Sequence, residues 1–499
     1  MTAFADIPLG SRPRGRWALT AQWVIADTPA GRRLVRNGEV VVDGDTVLYV
    51  GPGFEGEVAA RHDLGAALIA PGFVDLDALS DLDTTLLAHD NWPAARKGRV
   101  WPRSYVERGP YEMYSPEELA FQKRFAFAQL LLNGITSAAP IASLFYREWG
   151  ETVAEFDAAA DAAQDLGLRV WLGPAYRSGG MVVEPDGRMV ADFDEARGLR
   201  GLAQAIAFAR KWQGNSLISP MLAPDRVETC TEALLARTMA AAGDLGCPVR
   251  LHMAQGMMEL DTVRALHGKT APEWLDDLGL LNDRLLAPHA TVATAEDLRR
   301  YADNGVTVVH CPLVSIRHGG ALRSFRKLRD RGIRVAMGTD TAPPDMVLNL
   351  AVGIMMCRMA EGDIAACTSS EYFDAATISG AAALGRSDIG VLRAGGKADI
   401  AVFDLADAAM APTIDPVQTL ILGASGRVTR ATIVDGRLSM RDGEVAGIDM
   451  SAARARAQVQ FDGLLAKYPE RTAGHPDVAD IFPPTYPLFD VTPTRRSRE

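Results

Sequence analysis

The sequence has no apolar run that approaches 18 residues, about the length that a membrane-spanning helix needs. Its start, MTAFADIPLGSRPRGRW, has no compact apolar stretch before small residues, so it does not predict a secretory signal. The five cysteines are widely spaced and include no Cys-x-x-Cys pair, which argues against a disulfide framework and against a thiolate zinc site. We therefore expect a cytoplasmic protein whose cysteines are buried free thiols.

The sequence also lacks any dense run of lysine and arginine. Its formal net charge of -11 disfavours a nucleic-acid partner, and the short basic stretch at 94–104 is more typical of a solvated loop. The remaining expectation is a small-molecule substrate. The C-terminal stretch, rich in proline and aromatic residues, favours a homo-oligomer, a dimer or larger.

Both ends of the chain show short β-like runs separated by turn residues. Asn37-Gly38 and Asp43-Gly44 separate apolar runs near the start, and GGKADIAVFDL and RVTRATIVDGRLSMRDGEVAG repeat the pattern near the end. Neither segment alone can close a core, so we predict one small β-sandwich built from residues 16–69 and 387–450. Residues 451–499 are expected to form a C-terminal helix followed by an arm.

Between these segments, residues 70–386 alternate apolar strands with helical patterns. Ser115 with Glu118, and Thr294 with Asp297, resemble capping boxes at the starts of two of the helices. The pattern favours an α/β fold, a closed (β/α)8 TIM barrel. Its eight candidate strands are IAPGFVDLDAL, GITSAAP, LRVWLGPAY, LISPMLAP, CPVRLHMAQ, LLAPHAT, VTVVHCP and RVAMGTDT.

Polar residues stand at the ends of six of these candidate strands. In a parallel barrel such side chains converge on one mouth, and a divalent metal held there by imidazole and carboxylate activates water at neutral pH. A single buried histidine is usually a core residue, but several on consecutive strands indicate a metal or catalytic site. The six residues are Asp77, Arg177, His252, His289, His310 and Asp340.

The chain resembles the amidohydrolase superfamily, in the branch of enzymes like cytosine deaminase, S-adenosylhomocysteine deaminase and triazine chlorohydrolase. The stretches that carry the resemblance are IAPGFVD, SPEELAFQKRFAFAQLLLNGITS, RLHMAQ, LLAPHAT, VVHCP, MGTDTAP and GGKADIAVFD. The resemblance implies that His252 is a metal ligand and that His289 hydrogen-bonds the attacking hydroxide. It implies that Asp340 is both ligand and proton acceptor.

Three residues depart from the family pattern. Asp77 and Leu79 stand where the family has two metal-binding histidines, and Gln255 stands where it has a proton-delivering glutamate. Asp77 can bind a metal through oxygen, and His89 or His289 can complete the ligand set. We expect one divalent ion per chain, zinc first, with iron, manganese or cobalt as options. Gln255 is then expected to orient the substrate, with Glu259 a more distant candidate for proton delivery.

The resemblance implies hydrolysis of a non-peptide C–N bond in a small molecule: deamination of a cyclic amidine, or hydrolysis of a urea, carbamate or amide. The alternative is an inactive barrel that acts as a binding or assembly protein, because two ligands and the glutamate are replaced together. Four residues are expected to contact the substrate, although such aromatic residues more often pack in loops. They are Trp92, Tyr176, Arg177 and His310.

Overall fold

The structure is a computed structural model that describes residues 4–82, 101–108, 114–141, 150–320, 322, 325–487 and 489. Within these residues no helix is both long enough and apolar enough to cross a membrane. His89 and Trp92 lie outside the described residues. All five cysteines are free and buried, as predicted.

Both ends of the chain contribute to one nine-stranded sheet. Eight of its strands lie side by side, in the spatial order Glu444–Val445, Arg437–Arg441, Thr429–Val434, Ile400–Asp404, Ala67–Pro71, Arg16–Thr28, Gly31–Asp43 and Thr46–Gly51. The ninth, Ala60–Asp63, pairs with the first half of Arg16–Thr28. Ile400–Asp404 pairs with Ala67–Pro71, so this contact joins the two ends.

Tight turns connect several of these strands. Asp435-Gly436 and Asp442-Gly443 have positive φ at both residues, the conformation of a two-residue hairpin turn. The turn predicted at Asp43-Gly44 is present one residue later, at Gly44-Asp45, between the paired residues Asp43 and Thr46. The prediction of a turn at Asn37-Gly38 is wrong. These residues lie inside strand Gly31–Asp43, where Asn37 takes a φ of 50° and interrupts the pairing with Arg16–Thr28.

Eight parallel strands in two sheets form the centre of the molecule. One sheet has the order Ile218–Pro220, Arg169–Leu172, Ile135–Ile141 and Phe73–Leu79, and the other has Val249–Arg250, Leu285–Pro288, Thr307–His310 and Val335–Met337. The predicted first strand is thus divided at Gly72, since its first part belongs to the sheet of the chain ends. Shorter strands are Trp101–Pro102, Ala175–Tyr176, Gly179–Val183, Met189–Phe193 and Ala223–Pro224.

Backbone hydrogen bonds link the two parallel sheets at both edges. At one edge, Arg250 N donates to Leu222 O at 3.0 Å. At the other edge, Asp340 N donates to Asp77 O at 2.8 Å. This second link brings the ends of the first and last parallel strands together.

Helices alternate with the parallel strands, which gives a mixed α/β fold. Both predicted capping boxes are present, Ser115 with Glu118 and Thr294 with Asp297. The helices are Arg103–Glu107, Pro116–Leu132, Val153–Leu166, Glu195–Trp212, Glu232–Leu245, Met257–His267, Ala271–Asp277, Ala295–Asn304, Pro312–Arg317, Phe325–Asp330, Met346–Glu361, Ser369–Asp374, Gly380–Ala383, Pro416–Gly423, Met450–Arg471 and Val478–Ile481. Met450–Arg471 contains the predicted C-terminal helix and packs on Pro116–Leu132.

Candidate metal centre

Three buried side chains at the ends of different parallel strands converge on one point. The carboxylate of Asp77 has its Oδ2 3.5 Å from His252 Nε2 and 3.9 Å from His289 Nε2. One ligand atom from each of the three residues lies within 4.8 Å of the others. Asp340 extends the group, because its Oδ2 lies 3.6 Å from His289 Nε2.

A hydrogen bond to the backbone orients the ring of His252. Its Nδ1 lies 3.2 Å from the backbone oxygen of Asp225, which accepts only if Nδ1 carries the proton. The Nε2 lone pair then faces Asp77, in the tautomer that a metal ligand requires. Arg177 donates to Asp225 Oδ2 at 3.1 Å and lies over the ring of Trp101, so it supports the residue that holds His252.

The backbone is strained where it presents the site. His289 has a φ of 78° and Asp340 a φ of 43°, in a region that residues with side chains rarely adopt. Such conformations tend to cluster at functional sites, because the surrounding structure must hold them in place. The hydrogen bond from Asp340 N to Asp77 O helps to hold the second of them.

Asp75 ties the first and last parallel strands together, two residues before Asp77. It accepts hydrogen bonds from Thr339 N at 3.0 Å, from Thr339 Oγ1 at 2.5 Å and from Asp77 N at 3.1 Å. Burial raises the pKa of Asp75 to about 6, against the effect of these hydrogen bonds. Asp75 therefore positions the strand ends that carry Asp77 and Asp340.

Arg250 places a buried positive charge beside the three side chains. Its Nε lies 3.8 Å from Asp77 Oδ1, and its Nη1 donates to the backbone oxygens of Ala139 and Pro140 at 3.2 and 3.0 Å. Burial opposes ionisation of Asp77, but His252, Arg250 and His289 outweigh it and lower the pKa of Asp77. Sequence reasoning missed Arg250 and Asp75, although each stands two residues before a predicted ligand, the spacing that puts the side chains of extended backbone on one face.

The seventh parallel strand contributes Cys311 to the site. The thiol of Cys311 lies 3.8 Å from Asp77 Oδ2, and burial raises the pKa of this thiol well above its usual range. Gly338 makes room for this contact, since a Cβ there would meet Asp77 Cβ at 2.6 Å and Cys311 Sγ at 3.0 Å. His310, which was predicted to contact the substrate, has its ring beside those of Phe325 and Tyr372.

A cavity of about 360 Å³ reaches His289. Its walls combine polar residues, among them Gln255, Glu259 and Arg226, with apolar residues such as Met258. The side-chain oxygen of Gln255 is buried and accepts no hydrogen bond from the described residues. It is therefore placed to accept a hydrogen bond from a bound molecule.

Glu259 holds the loop that follows His252. Its two carboxylate oxygens accept hydrogen bonds from Ala254 N at 2.7 Å and Gln255 N at 2.6 Å. Burial, with Glu228 nearby, raises the pKa of Glu259 to about 8. The same loop contains Ala254 at a φ of 53°, so Glu259 stabilises a strained segment.

Tyr176 and Leu79 lie in the interior. Tyr176, which was predicted to contact the substrate, has its hydroxyl 3.0 Å from Thr238 Oγ1 inside the hydrophobic core. Leu79 is buried in an apolar cluster, as its side chain requires.

A model of the amidohydrolase family matches residues 70–439, most of the chain and all eight parallel strands. The chain belongs to the amidohydrolase family.

Curated relatives resemble this amidohydrolase over most of their length. A 5-methylthioadenosine/S-adenosylhomocysteine deaminase from Moorella thermoacetica is 26% identical, covering 84% of this chain and 94% of the relative. The deaminase of the same name from Halobacterium salinarum is 28% identical, covering 87% and 95%. A 5'-deoxyadenosine deaminase from Methanosarcina mazei is 24% identical, again covering 87% and 95%.

Solved structures share the fold of this amidohydrolase. An adenosine deaminase from Xanthomonas campestris with bound zinc gives a TM-score of 0.76 at 22% identity, covering 91% of this chain and 99% of the other. An atrazine chlorohydrolase from Arthrobacter aurescens, complexed with zinc, gives 0.73 at 20%, covering 89% and 100%. Family and relatives confirm the prediction of an amidohydrolase-type enzyme that hydrolyses non-peptide C–N bonds. They give no support to an inactive binding or assembly protein.

The donor set of this amidohydrolase fits a divalent cation. Ligand atoms around a tetrahedral zinc at 2.0–2.2 Å lie roughly 3.3–3.6 Å apart, close to the separations among Asp77, His252, His289 and Asp340. Imidazole nitrogen with carboxylate oxygen suits zinc and its first-row neighbours. Asp77 Oδ1 is buried and accepts no hydrogen bond from the described residues, so the carboxylate is not saturated by the protein around it.

Proposed function

We propose that this amidohydrolase uses one divalent cation per chain to hydrolyse a C–N bond of a cyclic amidine, urea, carbamate or amide. Zinc is the ion that we expect. The observation that carries the proposal is the convergence of Asp77, His252 and His289 within 4.8 Å. We assign Asp77, His252 and Asp340 as ligands, so that Asp77 takes over from the missing histidines and one position on the cation stays open. Bound there, the cation supplies a hydroxide from water at neutral pH.

Three side chains of the protein then bind the reactants and transfer the proton. His289 hydrogen-bonds the attacking oxygen, and Asp340 accepts the proton that this oxygen loses. Asp340 returns the proton to the leaving nitrogen, which departs as ammonia in a deamination or as an amine in the other reactions. Gln255 accepts a hydrogen bond from an N–H of the substrate in the cavity. Gln255 cannot deliver a proton, so Asp340 alone transfers the proton to the leaving nitrogen.

Cyclic amidines are the substrate class that we favour. The deaminase relatives act on 5-methylthioadenosine, S-adenosylhomocysteine and 5'-deoxyadenosine, by their names. The cavity of about 360 Å³ is within the usual range for small-molecule sites and has apolar and hydrogen-bonding walls. Arg177 and Trp92 remain proposed substrate contacts, and His89 remains a proposed alternative metal ligand.

The proposed architecture is a closed (β/α)8 barrel over residues 70–386. The hydrogen bonds at both edges of the two parallel sheets support closure. We further propose that the nine-stranded sheet folds over its own apolar core as a sandwich of residues 16–69 and 387–450, followed by the segment 451–499. The shared cluster that includes Trp17, Val40, Ile69 and Ile400 supports that assignment. Free, buried thiols support a place in the reducing cytoplasm.

The proposal is tested by assaying ammonia release from the zinc-loaded enzyme. The substrates are the three named nucleosides, with a set of ureas, carbamates and amides assayed for amine release. Asp340→Asn is expected to lower kcat at least ~100-fold because proton transfer is lost. Asp303→Asn, an exposed change on helix Ala295–Asn304, is the control and should leave kcat unchanged. Turnover that is equal in wild type and Asp340→Asn would contradict the mechanism.

A further inference from the structure

Helix Met346–Glu361 exposes an apolar surface where a solvated helix would carry charge. Its inner face packs into the core through Val347, Leu350, Ile354 and Cys357. Its outer face is also apolar and repeats at helical spacing, so this helix is apolar on both sides. We call this outer surface the methionine face. It consists of Leu348, Val352, Met355, Met356, Met359 and Ala360.

The most outward side chains of the methionine face are large. Met355 is 57% exposed and Met359 is 71% exposed. Ile364, just after the helix, is 78% exposed, and Leu422 is exposed on helix Pro416–Gly423, which packs against Met346–Glu361. Contiguous apolar patches of this kind mark interaction surfaces in soluble proteins. Val352 and Met356, which belong to the same face, are half-buried.

The charged residues of the helix are already engaged by the chain itself. Glu361 pairs with Lys327 at 3.0 Å, and Arg358 donates to the backbone oxygen of Cys367 at 3.3 Å. The methionine face therefore offers no counter-charge to a strongly charged partner. The chain as a whole carries a net charge of -11, so two copies repel one another wherever their acidic surfaces meet.

We propose that the methionine face is the contact between two copies of this chain. Across a two-fold axis the uncharged face meets itself, which avoids the repulsion between acidic surfaces. Methionine side chains adapt to one another in such a contact. The exposed parts of Leu348, Met355 and Met359, together with those of Ile364 and Leu422 outside the methionine face, amount to roughly 500 Å². This is most of the ~800 Å² that each partner buries in a stable interface.

The test measures mass and dissociation constant by sedimentation over a range of protein concentrations. The wild type is expected to be a dimer, and Met355→Glu combined with Met359→Glu is expected to raise the dissociation constant at least ~100-fold, because two charges per chain would be buried. Met189→Glu is the control. Met189 is 53% exposed on a strand outside this face, so the dimer should persist.

A second measurement does not depend on weakening the contact. Met355→Cys should be cross-linked to twice the chain mass by a short bis-maleimide, whereas Met189→Cys should stay at the mass of one chain. A monomeric wild type at every concentration would overturn the proposal. So would a double glutamate variant with the wild-type dissociation constant, or equal cross-linking of the two cysteine variants.

Discussion

Arg250 and Asp77 face one another inside the molecule, with Nε 3.8 Å from Oδ1. The other carboxylate oxygen of Asp77 lies toward His252 and His289. Asp77 thus lies between the guanidinium of Arg250 and the proposed position of a metal ion. The guanidinium lowers the attraction of this site for a second positive charge.

Removing that charge should strengthen metal binding. Arg250→Met is expected to bind zinc at least ~10-fold more tightly, because repulsion across a few ångströms of protein interior is lost. The same variant should have a lower Tm, since the backbone oxygens of Ala139 and Pro140 lose their donor. Chelator competition gives the zinc affinity, with Arg250→Lys as the control that keeps the charge. Unchanged or weaker zinc binding in Arg250→Met would contradict this account of Asp77.

The loop after His252 gives a second prediction. Glu259→Gln replaces one of two acceptor oxygens with an N–H group, so a hydrogen bond to Ala254 or Gln255 is lost. We expect kcat/KM to fall roughly 10–100-fold, the cost of a misplaced loop, while zinc content stays at the wild-type level. Zinc content should not change because Asp225 holds His252 independently.

Glu296→Gln is the matched control for this prediction. Glu296 lies exposed on helix Ala295–Asn304, where it pairs with Arg299. Kinetic constants of the control should equal those of the wild type. Loss of zinc in Glu259→Gln would show that Glu259 acts on the metal ligands instead of on the substrate loop.

His310 gives a prediction about pH. Burial lowers the pKa of His310 from 6.5 to about 3, so the folded protein holds this ring neutral. Above pH 6.5 the ring is neutral in both the folded and the unfolded protein, so it does not lower the free energy of unfolding. As the pH falls from 6.5 toward 3, the unfolded chain takes up the proton first, and the free energy of unfolding decreases progressively. At pH 5 the loss is about 2 kcal/mol.

The measurement is the change in Tm between pH 7 and pH 5, on metal-free protein so that release of a bound ion at pH 5 does not contribute. His310→Gln should show a smaller decrease in Tm than the wild type, because glutamine does not titrate. Equal decreases in the two proteins would mean that the ring of His310 does not titrate on unfolding as described.

Features of the fold that depend on neighbouring residues along the chain could be predicted from the sequence. The caps at Ser115 and Thr294 follow from short-range chemistry, and both are present. Asp77, His252 and His289 were predicted to lie together because strand ends converge, and the three do converge. The family resemblance supplied the roles expected of His252 and His289.

What the sequence did not reveal is which side of a strand each residue faces. On the seventh strand His310 has the expected chemistry but packs outward, and its neighbour Cys311 faces Asp77. A shift of one residue exchanges the two faces of a strand, and an apolar run on both sides gives no signal to decide between them. Asn37-Gly38 failed for a similar reason, since a dipeptide that suits a turn also suits an irregularity within a strand.

The most direct test of the account is metal analysis by mass spectrometry after dialysis against a weak chelator. The wild type should hold about one divalent ion per chain, and Asp77→Ala and His252→Ala should each lose it. His267→Ala, on a helix outside the site, should keep it. Loss in His252→Ala with retention in Asp77→Ala would contradict the central claim that Asp77 replaces the missing histidines. A wild type that binds no metal, even when metal is added, would contradict the hydrolase mechanism itself.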